Sequence, residues 1–237
     1  MYYGRLHLIK ATYINHMGCD MSVVNAARVS FGKKIDRMYT KPEDEKLIRY
    51  LAEHEHMSPF GHCFASFHVK APIFVARQLV KHKFLRWNEI SRRYVDSEPE
   101  FYQPDEWRGR SKDKKQGSEG VVDLDPMTFV VDPSDTNHTL NQELLDVYNF
   151  MLEQGVCPEQ ARMVLPQSMM TEWYWSGSLD AFADMCNLRC AFDTQPETRF
   201  VATQISDRMR RLFPVSWAAL MEGLTEYKFG YEENNDE

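Results

Sequence analysis

Gln78, Lys81 and His82 stand at i, i+3 and i+4 of a run that opens at Pro72 and contains no glycine, so on an α-helix they share one face near its carboxyl end. Proline is tolerated in a first helical turn, and Ile73-Phe74-Val75-Ala76-Arg77-Gln78-Leu79-Val80-Lys81-His82 supplies helix formers behind it. If the chain beyond Trp87 is extended, Glu89, Ser91 and Arg93 lie on one side and Ile90, Arg92 and Tyr94 on the other. Ammonium, imidazole, guanidinium, hydroxyl and amide groups then converge with one carboxylate. Cations neutralise a phosphate while paired polar groups read a pyrimidine, so the set suits a nucleotide. Spacing alone leaves open a plainer alternative: a solvated basic face, with His82 a surface histidine and Glu89 a salt-bridge partner of Lys81 or Arg93.

Several elements must position these residues. The stretch 3–13 alternates roughly and reads as a first strand. Residues 43–54 form an amphipathic helix in which Leu47, Ile48 and Leu51 recur behind an acidic first turn. Its exit is polar: His54-Glu55-His56-Met57-Ser58-Pro59. In 63–69, Cys63, Ala65, Phe67 and Val69 alternate with Phe64, Ser66 and His68; neither face is strongly polar, so burial on both sides is expected. Residues 95–137 are rich in Pro, Gly, Asp, Ser and Lys and read as a long loop carrying one short element. Helical patterns return over 139–154, 159–165, 179–188 and 197–212, and 169–175 has the aromatic density of a strand. Strands interleaved with helices imply one α/β domain, a sheet layered with helices, over 1–228, with an acidic tail at 229–237.

The chain has 237 residues and a formal net charge of −7, so it would repel a nucleic-acid backbone unless its cations were gathered into one place. No apolar run approaches the roughly 20 residues that span a bilayer. With no signal-peptide core at the amino terminus, the cytoplasm is the expected location, or the host cytoplasm if the chain is viral. Five cysteines without a CxxC pair fit reduced thiols. Cys186 and Cys190 are spaced for half of a metal site, but no second pair completes it, so no metal is expected.

The literal residues add a resemblance. Lys81-His82-Lys83, then Asn88-Glu89, Ser91 and Arg93-Tyr94, keep the spacing of a signature usually written Arg-His-Arg followed after seven residues by Ser. Upstream stand His56-Met57-Ser58-Pro59-Phe60 and His68-Val69-Lys70-Ala71-Pro72. Downstream stand Phe101-Tyr102, Pro104, Trp107-Arg108 and Lys115-Gln116-Gly117-Ser118, then Arg162-Met163-Val164-Leu165-Pro166 and Asn187-Leu188-Arg189 with Gln195 and Glu197. Together these resemble the flavin-dependent thymidylate synthases over most of the chain from about residue 52 to residue 213.

The resemblance implies a mainly antiparallel sheet flanked by helices, a homotetramer, and FAD bound across subunits. It implies synthesis of dTMP from dUMP, with 5,10-methylenetetrahydrofolate as carbon donor and NADPH as reductant. By matched position, Gln78, Lys81, Glu89, Ser91, Arg92, Arg93, Arg162 and Arg189 would bind dUMP, while His56, Ser58, Lys81, His82, Lys83, Glu89 and Asp184 would face FAD. Arg189 would be the catalytic residue, because a guanidinium that keeps its proton can stabilise negative charge on the uracil. No protein nucleophile is needed, and no cysteine lies in a Pro-Cys-His setting. Both signature arginines are lysines here, which lack the planar fork, and Arg86 adds a cation nearby. Ser178, Asp180 and Asp193 stand where the family tends to carry Asn, Arg and His. These departures raise an alternative: a non-catalytic flavin- and nucleotide-binding relative with the same fold.

Overall fold

The computed structural model describes residues 5–95, 97–112, 117–123 and 139–221. The expected acidic tail, the start of the first expected strand and Lys115-Gln116 lie outside these residues. Four strands form one antiparallel sheet: β1 (Lys10–Met17), β2 (Phe64–Pro72), β6 (Met170–Ser178) and β3 (Leu85–Glu89), in that spatial order. A two-stranded antiparallel ribbon, β4 (Trp107–Arg110) with β5 (Ser118–Val122), stands apart from it. The helices are α1 (Asp20–Arg28), α2 (Pro42–Glu53), α3 (Ile73–Leu79), α4 (Leu140–Glu153), α5 (Pro158–Ala161), α6 (Leu179–Arg189), α7 (Pro196–Leu212) and α8 (Pro214–Leu220).

One face of the sheet is the core. Phe67 and Val69 of β2 pair with Trp175 and Trp173 of β6, and Trp87 of β3 pairs with Trp175. Trp87 stacks on Trp173 at 4.3 Å, while Phe182 of α6 meets Phe67 and Trp175 edge-on at 5.3 and 5.7 Å. Such aromatic pairs contribute about 1 kcal/mol each beyond the area they bury. Helices α6 and α7 cover this face. The opposite face corrects the expectation of burial on both sides: Phe64 is 42% exposed and Tyr174 52% exposed among the described residues. Alternation alone reports two-sidedness, and Ser66 and His68 are polar enough to tolerate water.

The first strand corrects another expectation. Arg5–Leu8 is a 3-10 turn and β1 runs later, over Lys10–Met17. There it pairs with β2, a partner that local propensity does not reveal. Helix α3 is also shorter than the spacing suggests: it ends at Leu79, and the His82 amide donates to the Leu79 carbonyl in a closing turn. The chain must reverse within a few residues so that Leu85 can pair with Gly177 of β6. Phe84 takes up a left-handed φ of +63° in doing so. Gly177 leaves room at this crossing: a Cβ there would displace the end of the Leu85 side chain and press on the Phe84 carbonyl oxygen at 3.1 Å. The expected extended run is likewise corrected: it ends at Glu89, and Ser91–Arg93–Tyr94 is a turn closed from the Tyr94 amide to the Ser91 carbonyl at 3.0 Å.

Asp44 anchors the entry to α2. Its carboxylate is fully buried and accepts from the Lys41 amide at 2.9 Å, from Arg28 at 2.9 Å and from Arg37. Burial raises the pKa of this carboxyl, but the Lys41 amide and the Arg37 and Arg28 cations outweigh it and hold the group below its ordinary range. A lowered folded-state pKa contributes stability that is complete above the unfolded value of about 4 and is lost as pH falls through the folded value. Asp44→Asn is therefore expected to lose about 2 kcal/mol at neutral pH and to converge on the wild type in acid. Thermal unfolding at several pH values checks this; equal melting temperatures at pH 7 would dismiss the anchor.

Candidate functional site

The carboxyl end of α2 is shaped by its cap. The His56 amide donates to the Leu51 carbonyl at 2.8 Å and the Glu55 amide to Ala52 at 3.1 Å, with Glu55 in the left-handed conformation that a Schellman ending requires. This exit presents His56 and Ser58, both exposed. Tyr50 stacks on His54 at 4.0 Å and meets His56 edge-on at 6.2 Å, so the His56 ring stands beside an aromatic platform.

A first polar cluster joins the end of α3, the end of α6 and the start of α7. Gln195 stands at the N-cap position of α7 with its side chain turned away from the helix amides, Pro196 follows it, and Thr198 lies in the first turn, so Gln195 and Thr198 lie on one side. The Gln78 side-chain amide donates to Gln195 and accepts from Thr198 at 3.3 Å. Arg189, the last residue of α6, donates through Nε to His82 Nε2 at 2.9 Å and through Nη2 to the Gln78 carbonyl at 3.4 Å. Burial, and then the charge of Arg189, push the His82 imidazole down to about 4, so it is neutral at physiological pH. Burial also lowers the pKa of Arg189 from its high ordinary value.

A second cluster forms where Ser91 and Arg93 approach α5. The Arg93 guanidinium donates to Ser91 Oγ at 3.4 Å and to Glu159 at 3.4 Å, while Arg162 Nε donates to the Glu159 carbonyl at 3.3 Å. Arg93 and Arg162 are thus brought to one residue from distant stretches of chain. Glu89 accepts from Thr171 at 2.7 Å and from the Trp87 indole at 3.1 Å, which fixes its carboxylate at the end of β3. The salt bridge from Lys81 or Arg93 to Glu89 that the plainer alternative offered is not among the described contacts. Arg92 donates instead to the Ser97 carbonyl.

Lys81 and Lys83 lie in the turn beyond α3, both exposed. They do not share a helix face with Gln78. Asp184 is exposed on α6, and partial loss of solvent and then the nearby Asp180 carboxylate raise its pKa. No described hydrogen bond or ion pair joins the two clusters to each other or to His56 and Ser58.

A cavity of about 1000 Å³ also opens between the β4–β5 ribbon, the start of α4 and the start of α7. Phe74, Tyr102, Trp107, Arg108, Gln195 and Glu197 contribute to its wall, and none of the residues expected to bind nucleotide or flavin does. Arg108 Nη2 reaches both carboxylate oxygens of buried Glu197 at 2.9 and 2.8 Å, and Tyr102 donates to Glu197 at 3.3 Å. Tyr102, Trp107-Arg108, Gln195 and Glu197 carry part of the family resemblance, but spacing assigned them no task. Their partners lie about 90 residues away in sequence. Among the described residues, no group of three or more His, Cys, Asp or Glu is placed to hold a metal ion. No described helix is long and apolar enough to cross a membrane.

Comparison with known proteins gives this geometry a context. The family described as "Thymidylate synthase complementing protein" matches residues 12–215. A flavin-dependent thymidylate synthase from Thermus thermophilus is 41% identical over 217 residues, covering 91% of this chain and 77% of the relative. One from Kosmotoga olearia is 40% identical over 213 residues, covering 86% of each. Among solved structures, a UMP/dUMP methylase from Streptomyces cacaoi bound with 5-Br dUMP superposes with a TM-score of 0.75 at 29% identity, covering 90% of this chain and 95% of the other.

Proposed function

This chain belongs to the flavin-dependent thymidylate synthase family, and from that membership we propose that it converts dUMP to dTMP using FAD, 5,10-methylenetetrahydrofolate and NADPH. The observation that carries the reading is the grip on Arg189: His82 and Gln78 hold one side of its guanidinium, and its other donors point to no described partner. A guanidinium fixed in this way can donate to the uracil carbonyl oxygens that flank N3 and stabilise negative charge as the ring is activated. Gln78, held by Gln195 and Thr198, lies in the same cluster for the base. Ser91, Arg93 and Arg162, with Lys81 and Arg92 near them in sequence, supply hydroxyl and cationic donors suited to the phosphate. Glu89 closes the end of β3 between them.

The residues present fit the flavin cofactor. Lys81 and Lys83 are free-standing ammonium groups that suit a pyrophosphate, and neutral His82 can donate through Nδ1. A buried Asp180 oxygen has no donor among the described residues, which suits a ribose hydroxyl or purine amino group. His56, Ser58, Lys81, His82, Lys83, Glu89 and Asp184 would hold the cofactor. When bound, it supplies the hydride that completes the methyl group. Among the described residues no hydrogen bond or ion pair joins the two polar clusters within one chain, and we further propose a homotetramer in the cytoplasm, in which a second copy would complete the site.

The experiment is direct. The purified protein should be yellow, with flavin absorption, and should form dTMP from dUMP when given methylenetetrahydrofolate and NADPH. Flavin binding without turnover would select the non-catalytic relative; absence of both would reject the nucleotide site altogether.

A further inference from the structure

We propose that His82 is a positioning residue that turns Arg189 toward the pyrimidine through the contact between Arg189 Nε and His82 Nε2. The inference rests on Arg189 acting on the substrate and adds a task for His82 beyond lining a cofactor site.

The chemistry of the contact settles its direction. Arginine has five N–H donors and no acceptor, so Nε can only donate, and the imidazole must accept on Nε2. The ring proton then sits on Nδ1 and the ring is neutral. Burial and the Arg189 charge favour that state. Gln78 supplies the second acceptor through its main-chain carbonyl. Together the two acceptors occupy the Nε–Nη2 side of the fork and leave the Nη1–Nη2 end for another partner. Both come from the segment that closes α3, where the chain reverses at Phe84 into β3 and Leu85 pairs with Gly177 of β6. Arg189 would otherwise be free to swing, being a long side chain at the last turn of α6, only half-buried. A turn tied at one end to α3 and at the other to β6 thus restrains a flexible side chain, which is the difference between holding a cation and aiming it.

A histidine that merely capped α3 would affect stability without depending on Arg189, so the test couples the two residues. The affinity for dUMP is measured by calorimetry on the purified protein for wild type, His82→Leu, His82→Gln, Arg189→Ala and the double variant His82→Leu/Arg189→Ala. His82→Leu should weaken dUMP binding by about tenfold or more, since it removes a hydrogen bond to a charged group. His82→Gln, whose amide oxygen can accept where Nε2 did, should recover most of that loss. The double variant should bind no more weakly than Arg189→Ala alone, because only one interaction is there to lose. Additive losses, or His82→Leu within about twofold of wild type, would overturn the proposal, a difference of twofold lying inside the usual limit of additivity. Loss of flavin with dUMP affinity intact would mark a cofactor contact only and also overturn it. If Arg189→Ala itself binds dUMP like the wild type, the reading of Arg189 fails and this inference with it. Loss in Arg189→Ala but not in His82→Leu defeats the positioning alone. Should His82→Leu not fold, the ring nitrogen resonances of the unaltered protein decide, with His82 identified by its absence from the His82→Gln spectrum: a proton on Nδ1 supports the contact, and a proton on Nε2 overturns it.

Discussion

Arg189→Ala should lower dUMP turnover by about 10³-fold while leaving the fold intact, in line with the loss of a charge-stabilising donor at a developing anion. The packing of α6 is carried by Leu179, Phe182, Met185 and Cys186, all fully buried, whereas Arg189 is half-exposed at the last residue. Truncating it removes little apolar contact, so circular dichroism and flavin content should stay close to wild type. The helix carboxyl end favours a cation there in any case, but by less than about 1 kcal/mol, far too little to account for a thousandfold change. Arg189→Lys separates charge from shape: a lysine keeps the charge but cannot be gripped on one side by His82 and Gln78 while donating with the other. Its turnover should fall between wild type and alanine. Activity of Arg189→Ala within tenfold of wild type would remove the residue from this role.

How much of this was legible follows from where the information resides. The helices over Leu140–Glu153, Leu179–Arg189 and Pro196–Leu212 match their periodic patterns to within a residue or two, because an amphipathic or apolar helix declares itself through neighbours in sequence. Neither α1 nor α8 has a pattern that the sequence reading picks out. Asp20 in the first turn of α1 accepts from the backbone amides of Val215 and Ser216 in α8, so the two short helices stabilise each other across most of the chain. The β4–β5 ribbon escaped for a related reason: a loop-like composition with glycines at 109, 117 and 120 hides a pairing that is seen only in register.

The site divides in the same way. Residue types and spacing pointed to Gln78, His82 and Arg93, but the face on which they would meet was drawn on a helix that stops at Leu79 and a strand that stops at Glu89. Both elements end early because the chain must turn, and those turns are demanded by β6, about 90 residues downstream in the β3 register. The grip of Thr198 and Gln195 on Gln78 likewise spans about 120 residues and has no local signature. Family resemblance reached Arg162 and Arg189, which periodicity alone treats as ordinary surface cations. It did not reach the network under Tyr102, because resemblance marks a residue without saying what it touches.

That network carries the second large effect. Glu197→Ala is expected to destabilise the protein by about 3 kcal/mol, because it strands Arg108 and Tyr102 around a buried vacancy. Glu197 is 3% exposed and binds both partners at the start of α7, so it ties the stretch before β4 to the helix that presents Gln195 and Thr198. Burial and then the Glu197 charge raise the Tyr102 pKa, so the hydroxyl stays protonated and continues to donate across the working pH range. For a chain of this size the loss corresponds to a fall in melting temperature of about 6–12 °C. Arg108→Ala should cost less, since Arg108 is 29% exposed at its side chain and its removal leaves Glu197 still accepting from Tyr102. The order of the two variants is therefore as informative as their size: a melting temperature for Glu197→Ala within about one degree of wild type, or a larger loss for Arg108→Ala, would show that the carboxylate is not the hub. Because Gln195 stands two residues before Glu197 and holds Gln78, the same variant should weaken dUMP binding more than a surface substitution of equal stability cost.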